Sequence, residues 1–348
     1  SKYFIDKTIE FVASNEDSDQ PFFAYIPFQA VHIPVQAPKE YSDKYAGVYD
    51  EGWSVMREKR RQTAVALGVI PKESEIKVTP GTIDWSSMTD EQRRYDARRM
   101  EVYAGMVDAM DFHIGRLMDY LKSIDEYENT VFIFTSDNGA ASSPLLDSDG
   151  NSVLKNWFDR VGYNTDYESL GEKGSWVAIG PGNASIANSP LLYYKFHANE
   201  GGLRVPLIIS GPGINRHGEI TDEFTFVTDL APTILNLTGT TEHRGKFNGR
   251  EVEPIVGVSF TDYLNGAADQ IHQPSESIGY ELGGSNALFK GDYKIVINKI
   301  EQNETEWHLY NIKTDPGETT DLINEKPQLF TEMLSEYESW AEENNVLP

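Results

Sequence analysis

Residues 131–139, VFIFTSDNG, are the stretch that decides the fold. The first four are apolar on both faces, as in a central strand of a parallel sheet that helices cover on both sides. Asp137 and Asn138 come directly after VFIFTS, and side-chain oxygens of this kind are the ligands that hard cations require. A plain turn is the alternative, because Asn-Gly between apolar runs is also a turn signal. The stretch therefore predicts a buried strand that ends in either a metal site or a turn.

Other segments extend this pattern outward along the chain. Residues 207–210, LIIS, repeat the apolar run and are followed by GPG, and residues 22–28, FFAYIPF, are short, apolar and aromatic, which favours a strand. Thr228 or Asp229 can cap a helix over DLAPTILNL. Apolar strands that alternate with amphipathic helices predict an α/β fold, in which a largely parallel mixed sheet is flanked by helices. Ligands in such sheets bind at the carboxyl ends of the strands.

The longest predicted helix begins after Thr89. Thr89 and Gln92 have the spacing of a capping box, and apolar residues then recur every three or four positions up to about Ser123. Residues 3–13 show the same helical period. Residues 39–88 show no clear period and are predicted to be an irregular surface excursion.

The texture of the sequence changes near residue 270. Short, partly alternating runs separated by Gly, Asn and charged residues predict an antiparallel sheet, and residues 328–341 predict a closing helix. We therefore divide the chain into an α/β core over residues 1–269 and a small antiparallel α+β subdomain over residues 270–348.

Composition excludes several classes of protein. The chain has 348 residues, with 55 Asp and Glu against 30 Lys and Arg, and so a formal net charge of −25. Such a charge repels phosphate backbones, which argues against nucleic-acid binding. There is no cysteine, which excludes disulfides, zinc-thiolate sites and a cysteine nucleophile within these residues. No apolar run reaches the roughly 18 residues that a membrane span needs, and no signal peptide is visible.

Two further residues could take part in chemistry. His32 follows the apolar run 22–28, and the Ile-Pro after it favours an extended exit that could hold the ring at the end of a strand. Lys195 lies among aromatic residues in YYKFHANEGGLRVP, where it could bind an oxyanion. The simpler alternatives are an exposed or structural histidine and a surface lysine whose alkyl chain covers apolar neighbours.

The ordered set of these segments resembles the type I sulfatase family of the alkaline-phosphatase-like superfamily. The segment GSWVAIGPGNASIANSPLLYYK is most similar to bacterial arylsulfatases. Each stretch alone is weakly specific, but together they follow the family's order over almost the whole chain. The matching stretches are PFFAYIPFQAVHIPVQAP, YAGMVDAMDFHIGRLMDYL, FIFTSDNG, KFHANEGGLRVPLIISGPG, FVTDLAPTILNLTG, KGDYKIV and WHLYNIKTDPGETTDL.

The resemblance implies a role for each candidate residue. Asp137 and Asn138 correspond to the family's ligands of a divalent cation, usually calcium. His32 corresponds to the histidine that contacts the ester near its bridging oxygen and helps to protonate the leaving alcohol. Lys195, five residues before Glu200 of the E-G-G motif, corresponds to the lysine that neutralises a non-bridging sulfate oxygen. The resemblance therefore implies hydrolysis of small-molecule or glycan sulfate esters, in the periplasm or outside a bacterial cell.

The family's nucleophile is not in this sequence. Sulfatases use a formylglycine made from the Cys or Ser of a C/S-x-P-x-R motif, and neither Ser143-Pro144 nor Ser189-Pro190 fits that motif. We expect the chain to correspond to the C-terminal two-thirds or so of a sulfatase, with the formylglycine and further aspartate ligands preceding Ser1. We then expect no turnover by this chain alone, weak or no calcium binding, and self-association through an exposed apolar sheet edge.

Two other functions remain open from the sequence. A phosphatase, phosphodiesterase or phosphonate hydrolase of the same superfamily would share the Asp-Asn pair. Those enzymes usually carry extra His and Asp ligands for a second metal, and no such pair lies beside Asp137. The other alternative is an inactive module that binds a sulfated ligand without cutting it. The choice of substrate is expected to lie in residues 39–88 and 140–190 and in the part before Ser1.

Overall fold

The computed structural model divides the chain into two compact units. It describes residues 1–16, 18, 20–143, 152–240, 245–299 and 302–346. The first unit comprises Ser1–Thr63, Glu75–Glu128 and Asn138–Arg204, and the second Ala64–Ser74, Asn129–Asp137 and Val205–Pro348.

Helices predominate in the first part of the chain, and most of the strands lie after residue 245. The helices are α1 Lys2–Ala13, α2 Lys39–Ser42, α3 Gly52–Ala66, α4 Asp90–Ser123, α5 Ser152–Val161, α6 Gly180–Ala187, α7 Glu200–Leu203, α8 Leu230–Leu237, α9 Thr261–Leu264 and α10 Pro327–Glu343. The strands are β1 Phe132–Thr135, β2 Leu207–Ser210, β3 Lys246–Phe247, β4 Arg250–Glu251, β5 Ser277–Leu282, β6 Ser285–Lys290, β7 Tyr293–Asn298 and β8 His308–Asn311.

The long helix α4 organises the first unit. Its predicted capping box is confirmed: the backbone N–H of Gln92 donates to Thr89 Oγ1 at 3.2 Å, and the N–H of Thr89 donates to Gln92 Oε1 at 2.9 Å. One part of α4 contributes Val102 and Met106 to an apolar cluster that we call the site cluster. Its buried members are Val35, Ala37, Val102, Met106, Leu170, Val177, Ile179 and Ala184.

Helix α3 lies within the stretch that was predicted to be irregular, so that prediction is wrong for residues 52–66. Trp53 and Met56 are buried and pack in one cluster with Met100 of α4. Both side chains lie on one face of α3, because residues three apart are neighbours on a helix surface. Charged residues after Met56 hide this short apolar face in the sequence.

Residues 22–28 do not form a strand, and the prediction of one is wrong. The segment is extended and irregular, and Phe23 and Tyr25 are 75% and 81% exposed. A strand exists only where a neighbouring backbone completes its hydrogen bonds, and no part of the chain that the structure describes pairs with this segment. Aromatic composition alone therefore overstated its tendency to join a sheet.

Both strands predicted in the middle of the chain are present, but their arrangement differs from the prediction. β1 pairs with β2 in antiparallel register, with Phe132 opposite Ser210. A largely parallel sheet is not confirmed, since each strand pair within the described ranges is antiparallel. The physical reason is that apolar composition does not determine whether a strand pairs in parallel or antiparallel register. Its partner strand and the path of the chain between the two decide this.

The antiparallel sheet predicted near the C-terminus is confirmed. Strands β5, β6, β7 and β8 form a meander in sequential order, and α10 packs on it. Leu288, Ile295, Leu309 and Met333 are fully buried between the sheet and the helix. Beside them Lys294 Nζ donates to Glu318 Oε1 at 2.9 Å, and both side chains are 0% exposed.

The helix predicted over DLAPTILNL is confirmed as α8, although Asp229 does not cap it with its side chain. The Asp229 carboxylate instead accepts backbone N–H groups of Phe226 at 2.7 Å and Val258 at 2.9 Å. Across the residues that the structure covers, no helix combines the length and the apolar character that crossing a bilayer demands.

Candidate functional site

The loop after β1 carries the two predicted oxygen ligands, and we call its residues 138–140 the Asn138 loop. Asp137 is exposed and is the last residue of its segment of the second unit, while Asn138 is half-buried and Gly139 is buried in the first unit. The N–H of Gly139 donates to the carbonyl of Gly202 at 2.9 Å. A Cβ at residue 139 would lie 1.8 Å from the Gly201 oxygen, so only glycine allows this backbone approach.

Lys195 lies in a turn that packs directly against the Asn138 loop. We call residues 193–201 the Lys195 turn, or the lysine turn. The N–H of Lys195 donates to the carbonyl of Ala140 at 3.0 Å. Tyr193 and Phe196, on either side, have left-handed backbone with φ of 62° and 79°. Non-glycine residues in that region carry strain that the surrounding structure has to hold, and such strain concentrates at functional sites. The Lys195 side chain is half-buried, with Nζ 5.5 Å from the centre of the Phe196 ring.

A buried histidine, which the sequence analysis did not single out, supports the same turn. His197 is 2% exposed and stacks on Tyr193 with ring centres 4.3 Å apart. Its Nδ1 lies 3.0 Å from the carbonyl oxygen of Tyr194. The only signal in the sequence was its position two residues after Lys195 among aromatic residues. His197 therefore packs against the turn and stabilises it.

His32 is exposed and follows the irregular segment of residues 22–28. Its backbone N–H donates to the carbonyl of Gln29 at 2.8 Å, and its Nδ1 lies 2.9 Å from the carbonyl oxygen of Ile33. A carbonyl oxygen only accepts, so this contact requires the proton on Nδ1. The neutral ring then presents an unprotonated Nε2.

One apolar cluster connects three of the four predicted residues. Val31, Ala140 and Tyr194 all pack against the site cluster, and they adjoin His32, the Asn138 loop and Lys195. The loop and the lysine turn are also joined directly by backbone hydrogen bonds. The fold of the first unit thus gathers the surroundings of these three residues, whereas Asp137 belongs to the other unit.

The two oxygen donors suit a hard cation in kind but not in number. Carboxylate and amide oxygens are ligands that Ca²⁺ accepts, yet Ca²⁺ takes about 6–8 of them. Among the described side chains, no group of three or more His, Asp or Glu residues is arranged to hold a metal ion. Asp137 and Asn138 therefore fit one part of a cation shell and would need further ligands.

Comparison with known proteins identifies the family. The Sulfatase family model matches residues 1–240. This chain is a sulfatase family member. The resemblance to the type I sulfatases of the alkaline-phosphatase-like superfamily is thereby confirmed.

Curated sulfatases are similar to the chain over much of its length. An uncharacterized sulfatase of Schizosaccharomyces pombe is 38% identical over 354 residues, which cover 100% of this chain and 62% of the relative. The arylsulfatase of Klebsiella aerogenes is 35% identical over 244 residues, which cover 70% of this chain and 51% of the relative. The sulfatase chain thus spans about half to two-thirds of the length of these relatives.

A solved structure supports the fold. Ps i-CgsB, in complex with k-i-k-neocarrahexaose, superposes with a TM-score of 0.60 and 21% sequence identity. The match covers 97% of this chain and 54% of that one. At this level of identity the likeness concerns the fold alone.

Proposed function

We propose that this sulfatase chain takes part in the hydrolysis of sulfate esters and provides His32, Lys195, Asp137 and Asn138 to the reaction. The observation that carries the proposal is the hydrogen bond from Lys195 N to Ala140 O at 3.0 Å. It joins the backbone beside a cationic side chain to the loop that bears a cation ligand. A site for a sulfate ester needs both features, because charge on the sulfate oxygens must be neutralised from more than one side.

Lys195 is proposed to bind a non-bridging sulfate oxygen. An ammonium group is a compact charge with three donors, which suits a tetrahedral anion. Its backbone is fixed on both sides by left-handed residues and by the Ala140 contact, so little reorganisation is needed when the ester binds. A preorganised donor of this kind lowers the barrier more than a mobile surface lysine would.

His32 is proposed to protonate the leaving alcohol. The carbonyl of Ile33 holds the proton on Nδ1, so Nε2 is the nitrogen that exchanges a proton with substrate. In the imidazolium form Nε2–H can donate to the ester oxygen as the S–O bond breaks. Histidine suits this role because an imidazole nitrogen can both donate and accept a proton.

Asp137 and Asn138 are proposed to provide part of the shell of a calcium ion. When bound, such a cation polarises the sulfate ester and stabilises negative charge on the attacking and sulfate oxygens. The adjacent positions of the two residues let one short loop supply a carboxylate and an amide oxygen. The remaining ligands would come from outside these 348 residues.

The nucleophile is proposed to be a formylglycine that also lies outside this chain. The sequence contains no cysteine and no S-x-P-x-R motif from which that residue could be made. The substrate is proposed to be a small or glycan sulfate ester, since a structural relative was solved with an oligosaccharide. The periplasm or the exterior of a bacterial cell is the proposed location.

Hydrolysis of an aryl sulfate reporter tests this proposal. The purified 348-residue chain should show no turnover with calcium present, and the full-length gene product, matured to formylglycine, should hydrolyse the reporter. In that protein Lys195→Ala should lower kcat on the order of 10²-fold. Lys39→Ala, which removes an exposed ion pair with Glu172, is the matched control and should leave kcat nearly unchanged. Turnover by the 348-residue chain, or preference for an aryl phosphate, would contradict the proposal.

Calorimetric titration with calcium tests the cation ligands separately. The 348-residue chain should bind weakly, because two donors fall well short of the about 6–8 oxygens of a calcium shell. Asp137→Ala should abolish whatever binding remains, while Asp119→Ala, an exposed aspartate of α4, should not. Micromolar affinity that Asp137→Ala removes would show that these residues build the site unaided.

A further inference from the structure

Asn188, the residue that follows α6, connects three segments of the candidate site. We propose that Asn188 is a positioning residue, which holds the Asn138 loop against the Lys195 turn and so sets the distance between the two. The inference deepens the proposed function and rests on it. Asn188 is proposed to act not on the cation or the ester directly but through the backbone groups that it bonds.

The side-chain amide of Asn188 makes three hydrogen bonds to backbone. Its Oδ1 accepts from the N–H of Ala140 at 3.1 Å. Its Nδ2 donates to the carbonyl of Tyr193 at 3.2 Å and to that of Gly201 at 2.8 Å. One side chain therefore joins the loop after Asn138 to the two ends of the turn that carries Lys195.

These contacts are distinct from those that end the helix. The backbone N–H of Asn188 bonds to the carbonyls of Ala184 and Ile186, as expected for the residue after a helix. The three side-chain bonds all lead away from α6. An ordinary helix end would not require an amide here, so the contacts to the loop and the turn explain the residue type.

Only an amide satisfies all three partners at once. It offers an acceptor and two N–H donors in one plane, whereas a carboxylate only accepts. Asn188→Asp would keep the bond from Ala140 but place negative oxygen against the carbonyls of Tyr193 and Gly201. Asn188→Ala would remove all three bonds and leave polar groups of a half-buried region without these partners.

The contact to Tyr193 matters most for Lys195. Tyr193 and Phe196 both have left-handed backbone, which the surrounding structure has to hold in place. When the bond from Asn188 to the Tyr193 carbonyl is lost, the turn can relax and Lys195 moves with it. A displacement of about 1 Å at such a residue costs on the order of 10²-fold in rate.

Asn183 provides a matched control within α6. It is 2% exposed, and its Nδ2 donates to the carbonyls of Asp96 at 2.8 Å and Ile179 at 3.1 Å. Those bonds tie α6 to α4 and to its own first turn, away from the Asn138 loop. Asn183→Ala therefore removes two amide-to-carbonyl bonds, as Asn188→Ala does, without touching the lysine turn.

Amide hydrogen exchange of the 348-residue chain is the first measurement. Asn188→Ala and Asn188→Asp should speed exchange at Ala140 and Lys195 by about tenfold or more, because these amides lie at the contact that Asn188 holds. Asn183→Ala should leave them within about threefold of wild type, even if it lowers the melting temperature as much. Equal exchange in the Asn188 and Asn183 variants would overturn the inference.

Aryl sulfate kinetics of the full-length, matured protein are the second measurement. Asn188→Ala should lower kcat by about 10²-fold, and Asn183→Ala should leave kcat near wild type. A kcat loss no larger in Asn188→Ala than in Asn183→Ala would also overturn the inference. If wild type itself shows no turnover, the proposed function fails, and exchange still decides whether Asn188 holds the loop to the turn. If Asn183→Ala does not fold, Ser185→Ala, whose Oγ donates to Gly182 O within α6, replaces it as the control.

Discussion

Gly139→Ala is the sharpest test of the loop that packs against the lysine turn. The added Cβ would lie 1.8 Å from the Gly201 oxygen and 2.9 Å from the Gly201 carbonyl carbon. Real Cβ atoms essentially never approach another heavy atom closer than 3.0 Å, so the two backbone segments have to separate by at least 1.2 Å. Both obstructing atoms are backbone, and no side-chain rotation relieves the clash.

The expected cost follows from what that displacement breaks. Overpacking of a close contact costs about 1–3 kcal/mol. The bond from Gly139 N to Gly202 O, 2.9 Å long, would be lost as well, at about 0.5–1.5 kcal/mol. Together these terms predict a loss of about 1.5–4.5 kcal/mol in the free energy of unfolding.

Urea unfolding of the 348-residue chain measures this loss. Gly115→Ala in α4 is the control, because nothing lies within 4 Å of its added Cβ. Replacing this helical glycine by alanine should raise the free energy of unfolding by about 0.5–1 kcal/mol. If Gly139→Ala unfolds within about 0.5 kcal/mol of wild type, the close backbone approach, and with it the placement of Lys195 beside the loop, is refuted.

Three more predictions concern other parts of the chain. His272 lies between two carboxylates, with Nε2 2.8 Å from Asp229 Oδ2 and Nδ1 3.0 Å from Glu276 Oε2. The hydrogen bond to Asp229 raises the pKa of His272. The stability it contributes is complete below about pH 6.5, the ordinary value, and is lost as pH rises through the raised one. The free energy of unfolding in urea should therefore fall more steeply as pH rises above about 6.5 in wild type than in His272→Asn, and equal slopes would contradict this. Phe23 and Tyr25 are 75% and 81% exposed, so light scattering should show self-association that Phe23→Ser with Tyr25→Ser reduces. Val78→Ser, at a residue that is 77% exposed, should not reduce this self-association. A wild-type protein that stays monomeric at all concentrations would contradict the prediction. Glu318→Ala should lower the free energy of unfolding in urea by about 3–5 kcal/mol, because it removes the carboxylate that is paired with the fully buried Lys294. Lys294→Met with Glu318→Gln should recover most of that loss, and no recovery would mean that the charge was not its cause.

Features set by neighbours in sequence could be predicted from the sequence. The capping box of Thr89 and Gln92 involves residues three apart, and the structure shows both of its bonds. The meander from β5 to β8 follows from alternating residues and tight turns, which also act within a few positions. The segments that carry the four candidate residues were recognisable for a different reason, since their ordered motifs are those of the sulfatase family.

Features set by distant partners were not predictable. Residues 22–28 have the composition of a strand, but strand formation depends on a hydrogen-bonded neighbour that composition does not encode. β1 and β2 were found as strands, yet their antiparallel pairing depends on the path of the chain between them. The helix α3 was missed because its buried face is defined by contacts with α4.

The sequence by itself determined the family, the helices α1, α4, α8 and α10 and the C-terminal sheet, and it named the candidate site residues, because periodicity, capping and motif order are local properties. Only the tertiary structure decided that the Asn138 loop packs on the Lys195 turn, that Gly139 permits the approach, and that Asn188 and His197 support it. Those relations join backbone segments far apart in sequence. Their energies arise from packing and hydrogen bonds that exist only once the chain has folded.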